Sequence, residues 1–263
     1  MKAVWVIVRK EWREVFRNRM VFFTVAFLPL LFTALPIAIL AATRNSVSTG
    51  DFSTLDLPEG YQALCGGLTG AACAQYALVS QFMILFMMIP LIIPVTIASY
   101  SIVGEKITRT LEPLLATPVS TLQLLGGKAL AAVLPAVAAA WGGFAVFAVG
   151  ARLVAIGPEV LARLVDPLWL MAIFVLGPLL SLASVAAAVM VSSRSTDPRA
   201  AEQVAMVVIV PLLGLFFGQI AGLFVLNAQL IAWMAGVLAV VDVGLMAFAV
   251  SLFQRETILT RWR

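Results

Sequence analysis

The sequence contains no histidine in 263 residues. That removes imidazole metal sites, imidazole general bases and Ser-His-Asp triads together. Charge is scarce as well: 11% of residues are Asp, Glu, Lys or Arg, where a soluble domain carries about 25%. With 62% hydrophobic residues, so few charges cannot solvate the surface of a globule. There are two cysteines, Cys65 and Cys73. The chain has no Gly-x-x-x-x-Gly-Lys-Ser/Thr loop, no His-Glu-x-x-His and no Gly-x-Ser-x-Gly. No metal site is expected, and no internal repeat with a clear period is present. No catalytic role is expected of this chain, and the energy for any uphill transport would come from a partner or an ion gradient.

What the sequence does have is long apolar runs. A helix crossing a ~30 Å hydrocarbon core needs about 20 apolar residues. Runs at 21–42, 76–103, 124–149, 168–191, 204–225 and 230–253 meet that length. The fold class is therefore all-α, a polytopic membrane protein of six transmembrane helices. The first run is longer than the ~7–15 residues of a cleavable signal core, so it reads as an uncleaved span. The last two spans form a hairpin around residues 227–229; one span plus a re-entrant segment near 214–229 fits the same pattern.

Residues 1–20 predict an amphipathic interfacial helix. Val4, Trp5, Val8, Trp12, Val15 and Phe16 share an arc of about 120°. Arg9, Lys10, Arg13, Glu14 and Arg17 fill the opposite arc, which suits a helix lying at a membrane surface. Residues 21–263 form the six-span domain.

Orientation follows from basic residues. Fourteen of the seventeen Lys and Arg fall in residues 1–20, 104–128, 192–203 and the tail 254–263. Cytoplasmic segments carry that excess, so both termini are expected in the cytoplasm. The pI of about 9.4 then reports membrane orientation and not nucleic-acid binding. Residues 43–75 become an outer loop. Cys65 and Cys73 flank a flexible segment there, and they fit either a disulfide in an oxidising compartment or two free thiols.

The connection 104–123 is unlike a plain linker. It carries Glu105, Lys106, Arg109 and Glu112, then Leu111, Leu114, Leu115 and Ala116, then Thr117 and Pro118. On a helix continuing from the second span, Glu105–Arg109 and Arg109–Glu112 make favourable pairs of ~0.2–0.5 kcal/mol each. Pro113 redirects the chain, and Ser120 with Gln123 forms a capping box for the return helix. Two readings fit the leucines: a docking knob for a soluble partner, or burial at the bilayer interface. The second inner loop, 192–203, contains Arg194, Asp197 and Arg199, with Asp197 as N-cap and Pro198 at the first helical position.

The segment GEKITRTLEPLLATPVSTLQLLGGK closely resembles the signature region of type-2 ABC-transporter permeases. That resemblance implies a permease subunit of an ATP-driven exporter in a prokaryotic plasma (inner) membrane. Two such permeases, identical or paired, would form the path, a homodimer being the expectation. Two cytoplasmic ATP-binding subunits, carrying ATP and Mg, would dock on a coupling helix. In that role the resemblance places Glu105, Arg109, Leu111, Glu112, Leu114, Leu115, Thr117 and Pro118. It makes Arg194, Asp197 and Arg199 a second contact, and the N-terminal helix an elbow. The outer loop of about 33 residues is much shorter than the outer domain of many such exporters, so their substrates do not carry over. An ion-coupled carrier or channel, or a membrane-assembly subunit worked by an ATPase, also fits a six-span chain. Among intramembrane polar residues, Asp242, Gln81 and Gln219 suit either a pore or ion site or helix packing. Asp242 is the one acid that the predicted boundaries put well inside a span.

Overall fold

Proline positions explain most of the breaks between helices. This computed structural model describes residues 2–48, 65, 68, 70–108, 110, 120–155 and 157–252. Helix α1 is Lys2–Val15 and α2 is Arg19–Ser48. Helices α3, Gly70–Phe86, and α4, Ile89–Ile107, are two halves of one span. Pro90 has no N–H to offer the carbonyl of Phe86. The chain tightens there, Met87 N–H closing on Ile84 O at 3.0 Å and Met88 N–H on Leu85 O at 2.9 Å.

Helix α5 is Thr121–Val154. The fourth span is built from α6, Pro158–Leu164, α7, Pro167–Met171, a π-turn at Ala172–Leu176, and α8, Gly177–Arg194. Pro178 cannot serve the Ile173 carbonyl in that wide turn, and the Trp141 indole N–H takes it at 3.2 Å. The fifth span is α9, Pro198–Ala205, a 3₁₀ turn at Met206–Ile209 ahead of Pro211, and α10, Val210–Ile220. Helix α11, Ala228–Leu252, is the sixth.

Six spans are thus present, and the described residues are helical without a strand. The hairpin reading of 214–229 fits the helices better than the re-entrant one: the fifth span continues through its 3₁₀ turn to Ile220. The chain then turns at Gly222 (φ 70°), and Asn227 Oδ1 caps α11 by accepting from Leu230 N–H at 2.8 Å. Other boundaries need correction. Helix α1 ends at Val15 and not near residue 20, and the second span extends from Gly70 to Ile107. The inner loop expected over 192–203 shrinks to residues 195–197. Tail residues 254–263 lie outside the described residues.

The second span forms the centre of the bundle, 78% of it buried, while the first and sixth lie at the periphery at 17% each. Helices α4 and α8 pack in parallel. A methyl on Gly177 would sit 3.9 Å from Pro90 Cγ at one end, and Lys106 reaches Ser193 at the other. Gly177, Ser181, Ala183, Ser184, Ala186 and Ala188 keep α8 thin enough for that approach. Such close backbone packing replaces the hydrophobic drive that helices lack inside lipid. One end of the bundle carries α1, Glu105, Ser120 and Asp197. The other carries the Cys65–Cys73 disulfide, with 5.1 Å between its Cα atoms.

Candidate functional site

The stem of the decorated stretch is the last turn of α4. Helix α4 stops at Ile107, where Thr108 closes it: its N–H and hydroxyl both reach Gly104 O, the hydroxyl at 2.9 Å. Thr110 N–H bonds Glu105 O at 3.0 Å. Helix α4 thus ends ahead of Arg109, and the expected pairings of Arg109 with Glu105 and Glu112 fall outside the described residues. Glu105 instead turns its side chain into the bundle and is 5% exposed.

There it joins a buried cluster. Lys128 Nζ lies 2.8 Å from Glu11 Oε1, 2.8 Å from Glu105 Oε2 and 2.7 Å from Ser101 Oγ. Of its three donors, the ammonium hydrogen-bonds Glu11 and Ser101, while Glu105 Oε2 is held beside it as an ion pair without hydrogen-bond geometry. Lys10 donates to Glu105 Oε1 and lies 3.4 Å from Glu14. Lys10 and Lys128 thus balance Glu11 and Glu105 in charge. Burial alone would raise the Glu11 pKa; the charge and hydrogen bond of Lys128, with Ser101 and Lys10, overcome it and hold the carboxyl below its ordinary value. Burial likewise works against the Lys10 ammonium, but its hydrogen bond and attraction to Glu105, helped by Glu11 and Glu14, raise its pKa.

The cluster exists because α1 docks on α5. Ile7, Val8 and Val15 are buried, and Glu11 sits in the middle of that stripe. Trp12 donates its indole N–H to Ala131 O at 2.9 Å. Gly127 lets Ile7 approach: a methyl there would fall 2.8 Å from Ile7 Cγ2. Lys106, the next residue after Glu105, points elsewhere. Its ammonium donates to Ser193 O at 3.2 Å and Ser195 O at 3.1 Å, at the negative end of α8. One turn of α4 is therefore fastened to α1 and α5 on one side and to α8 on the other.

Sequence reasoning missed Glu11, Lys10, Lys128 and Ser101 as a unit. The available signal was an acid on the apolar stripe of α1 and a lysine inside an apolar run. The return helix matches its local signal, with the Ser120–Gln123 capping box closed by two bonds of 3.2 Å. Asp197 accepts from Arg199 N–H at 3.0 Å as N-cap of α9, and Arg194 and Arg199 are exposed beside it. Arg109, Leu111, Glu112, Leu114, Leu115, Thr117 and Pro118 lie outside the described residues.

The intramembrane candidates sit on three different helices: Gln81 on α3, Gln219 on α10 and Asp242 on α11. They are 7%, 2% and 4% exposed. Among the described residues neither Asp242 oxygen has a hydrogen-bond partner, nor does either polar atom of the Gln81 side chain, nor Gln219 Oε1. Asp242 lies in the interior of its span, Ala228–Ser251, and a second acid lies near the Pro198 end of the fifth. Glu202, expected in the inner loop, lies in α9 and accepts from Thr96 Oγ1 at 2.6 Å. Among the described residues, no group of three Cys, Asp or Glu side chains is placed to hold a metal ion.

An all-α bundle of six apolar spans, with charge gathered at one end around the stem of a single decorated connection, defines a multi-pass membrane subunit of the permease class. The chain belongs to the ABC-2 transporter family: the family model described as "ABC-2 family transporter protein" matches residues 5–236. That range takes in the whole charge cluster and both connections at the stem end. No curated protein sequence matches the chain. The protein is therefore a membrane permease subunit of an ABC transporter, a family whose members work with ABC ATP-binding subunits.

Proposed function

We propose that two copies of this chain form the translocation path of an ATP-driven exporter, with the stem end in the cytoplasm. Two ATP-binding subunits, which bring ATP and Mg, dock on the stretch from Glu105 to Pro118. Arg109, Leu111, Glu112, Leu114, Leu115, Thr117 and Pro118 supply the contact, and Glu105 roots it in the bundle. Arg194, Asp197 and Arg199 give a second, smaller contact. The observation that carries this reading is the stem itself. Glu105 is ion-paired to Lys10 and Lys128, and Lys106 is bonded to the end of α8. A push on the stretch therefore moves α1, α4, α5 and α8 together, and does not bend a free loop. The basic residues at this end favour the cytoplasmic side, and the disulfide at the other end favours an oxidising one.

Reversing Arg109→Glu together with Leu114→Ala and Leu115→Ala is expected to weaken co-purification of the ATP-binding subunit by about tenfold or more. The unfolding midpoint of the permease should stay unchanged. Full association and full coupled ATPase activity in that variant would remove the docking assignment.

Asp242, Gln81 and Gln219 are proposed to contribute polar groups to the path. A carboxylate within a span costs about 2.5–3.5 kcal/mol on insertion scales, and one without a protein partner is retained where it meets water or cargo. Asp242→Asn is expected to lower transport and abolish its dependence on pH or cation. Unaltered transport with unaltered ion dependence would reduce Asp242 to a packing residue. If transport continued without the ATP-binding subunit while still requiring Asp242, the chain would be an ion-coupled carrier.

A further inference from the structure

The apolar stripe of α1 was expected to lie in lipid, yet Val8 and Val15 are 0% and 2% exposed against the rest of the chain. What this end of the chain leaves uncovered is different. Arg9 and Arg13 on α1, Arg17 in the turn after it and Arg19 at the start of α2 are exposed, and among the described residues none of them forms an ion pair. Lys10 and Lys128 balance Glu11 and Glu105, and exposed Glu14 beside Lys10 offsets one of the four guanidinium groups, so the segment stays net positive. Trp5, 45% exposed, lies under the Arg9 guanidinium at 5.8 Å from its ring centre.

We propose that this face is a binding site for the headgroups of anionic phospholipids. Depth is the first argument. Helix α1 contacts Gly127, Lys128 and Ala131, five to nine residues inside the third span, Leu122–Val154. At ~1.5 Å per residue that is about 8–14 Å below the end of the helix. Arg17 and Arg19 stand within four residues of Val21, where the first span begins. The 33-residue third span is about 50 Å long, roughly 20 Å more than a ~30 Å hydrocarbon core, so centring it puts this level at the boundary between headgroups and hydrocarbon. Chemistry is the second argument. Guanidinium groups bind phosphate oxygens in a bidentate way. Exposed rings beside them, Trp5 and then Phe22 and Phe23 at 58% and 61%, are the side chains that settle at the membrane interface. The reading of α1 as an interfacial helix is thereby changed in kind. Its apolar side holds the protein, and its basic side holds the membrane surface. The orientation proposed above decides only which leaflet supplies the lipid.

The test uses the full chain in nanodiscs of phosphatidylcholine with a minor share of phosphatidylglycerol, and counts retained lipids by native mass spectrometry. Phosphatidylglycerol should be enriched around the wild-type protein, and the enrichment should fall as salt rises. The triple variant Arg9→Gln, Arg13→Gln, Arg17→Gln should lose about tenfold in enrichment, since each basic group near an anionic surface contributes roughly a fivefold factor at most. The matching Arg→Lys triple variant should keep most of it. No enrichment around the wild type, or equal enrichment around the Gln variant, overturns the proposal. Neither transport nor ATPase activity is read, so the outcome is independent of the exporter reading.

Discussion

Lys128→Met is expected to destabilise the permease by about 3–5 kcal/mol, because it removes one partner from a buried charge network. Lys128 is 5% exposed and Glu11 2%, so neither is compensated by water. Without the ammonium, Glu105 keeps Lys10, but Glu11 is left with Lys10 at 3.6 Å. Glu11 must then be protonated or drawn toward solvent, and either change loosens α1 from α5. The expected result is a large fall in the unfolding midpoint in detergent, with low recovery of folded protein. A midpoint within about 0.5 kcal/mol of wild type, as for an ordinary surface change, would show that the cluster holds nothing together.

A second variant separates stability from coupling. Lys128→Met with Glu11→Leu and Glu105→Leu replaces the charges by apolar side chains of similar size. Buried ion networks treated in this way often recover full stability. Lys10, 35% exposed, retains Glu14 at 3.4 Å and access to water. This triple variant should therefore fold nearly as well as wild type. If the stem transmits force through these pairs, it should still show uncoupled ATPase activity. Acid gives an independent check. Glu11 has its pKa lowered by folding, so its stabilisation is present above the ordinary carboxylate value and is lost as pH falls through the lowered one. The α1–α5 contact should accordingly survive mild acid and loosen only below the usual carboxylate range.

The spans were legible because lipid imposes a simple rule: about 20 residues without charge. The caps at Ser120 and Asp197 were legible because each involves residues two or three apart. Glu105 was not. Its nearest visible partner was Arg109, at a spacing worth only ~0.2–0.5 kcal/mol on an exposed helix. The partners it takes, Lys10 and Lys128, are distant in sequence, and Glu11 meets Lys128 across 117 positions. Nothing local declares such a pairing; it depends on how α1 lies across α5. The same contact redirected the reading of α1. Periodicity gave the correct apolar stripe in Val8 and Val15, but periodicity cannot say whether a stripe faces lipid or another helix. Glu202 was misplaced for a related reason. The Asp197 cap starts α9 at once, so the inner loop is far shorter than its polar composition suggested.

Gly127→Ala tests that helix contact by the sign of its effect. In an isolated helix Ala is better than Gly by about 1 kcal/mol, so a site with space would become more stable. Here the added methyl would lie 2.8 Å from Ile7 Cγ2, 2.9 Å from Ile7 Cβ and 3.3 Å from Ile7 Cδ1. Ile7 is 9% exposed, and its Cβ is fixed to the backbone of α1, so the side chain cannot swing clear. Overpacking of this kind costs about 1–3 kcal/mol. The damage extends one residue further, since lifting Ile7 off α5 also draws Glu11 away from Lys128. Gly127→Ala should therefore lower the unfolding midpoint, and Ile7→Ala alone should lower it by removing buried methyl groups. Combined, the two should cost less than their sum, with an interaction of about 0.5–3 kcal/mol, because the truncated Ile7 makes room for the methyl. A stabilised Gly127→Ala protein, or strict additivity in the double variant, would mean that α1 does not rest on α5 at this point. The force path from the stem to α1 would then have to run through Glu105 alone.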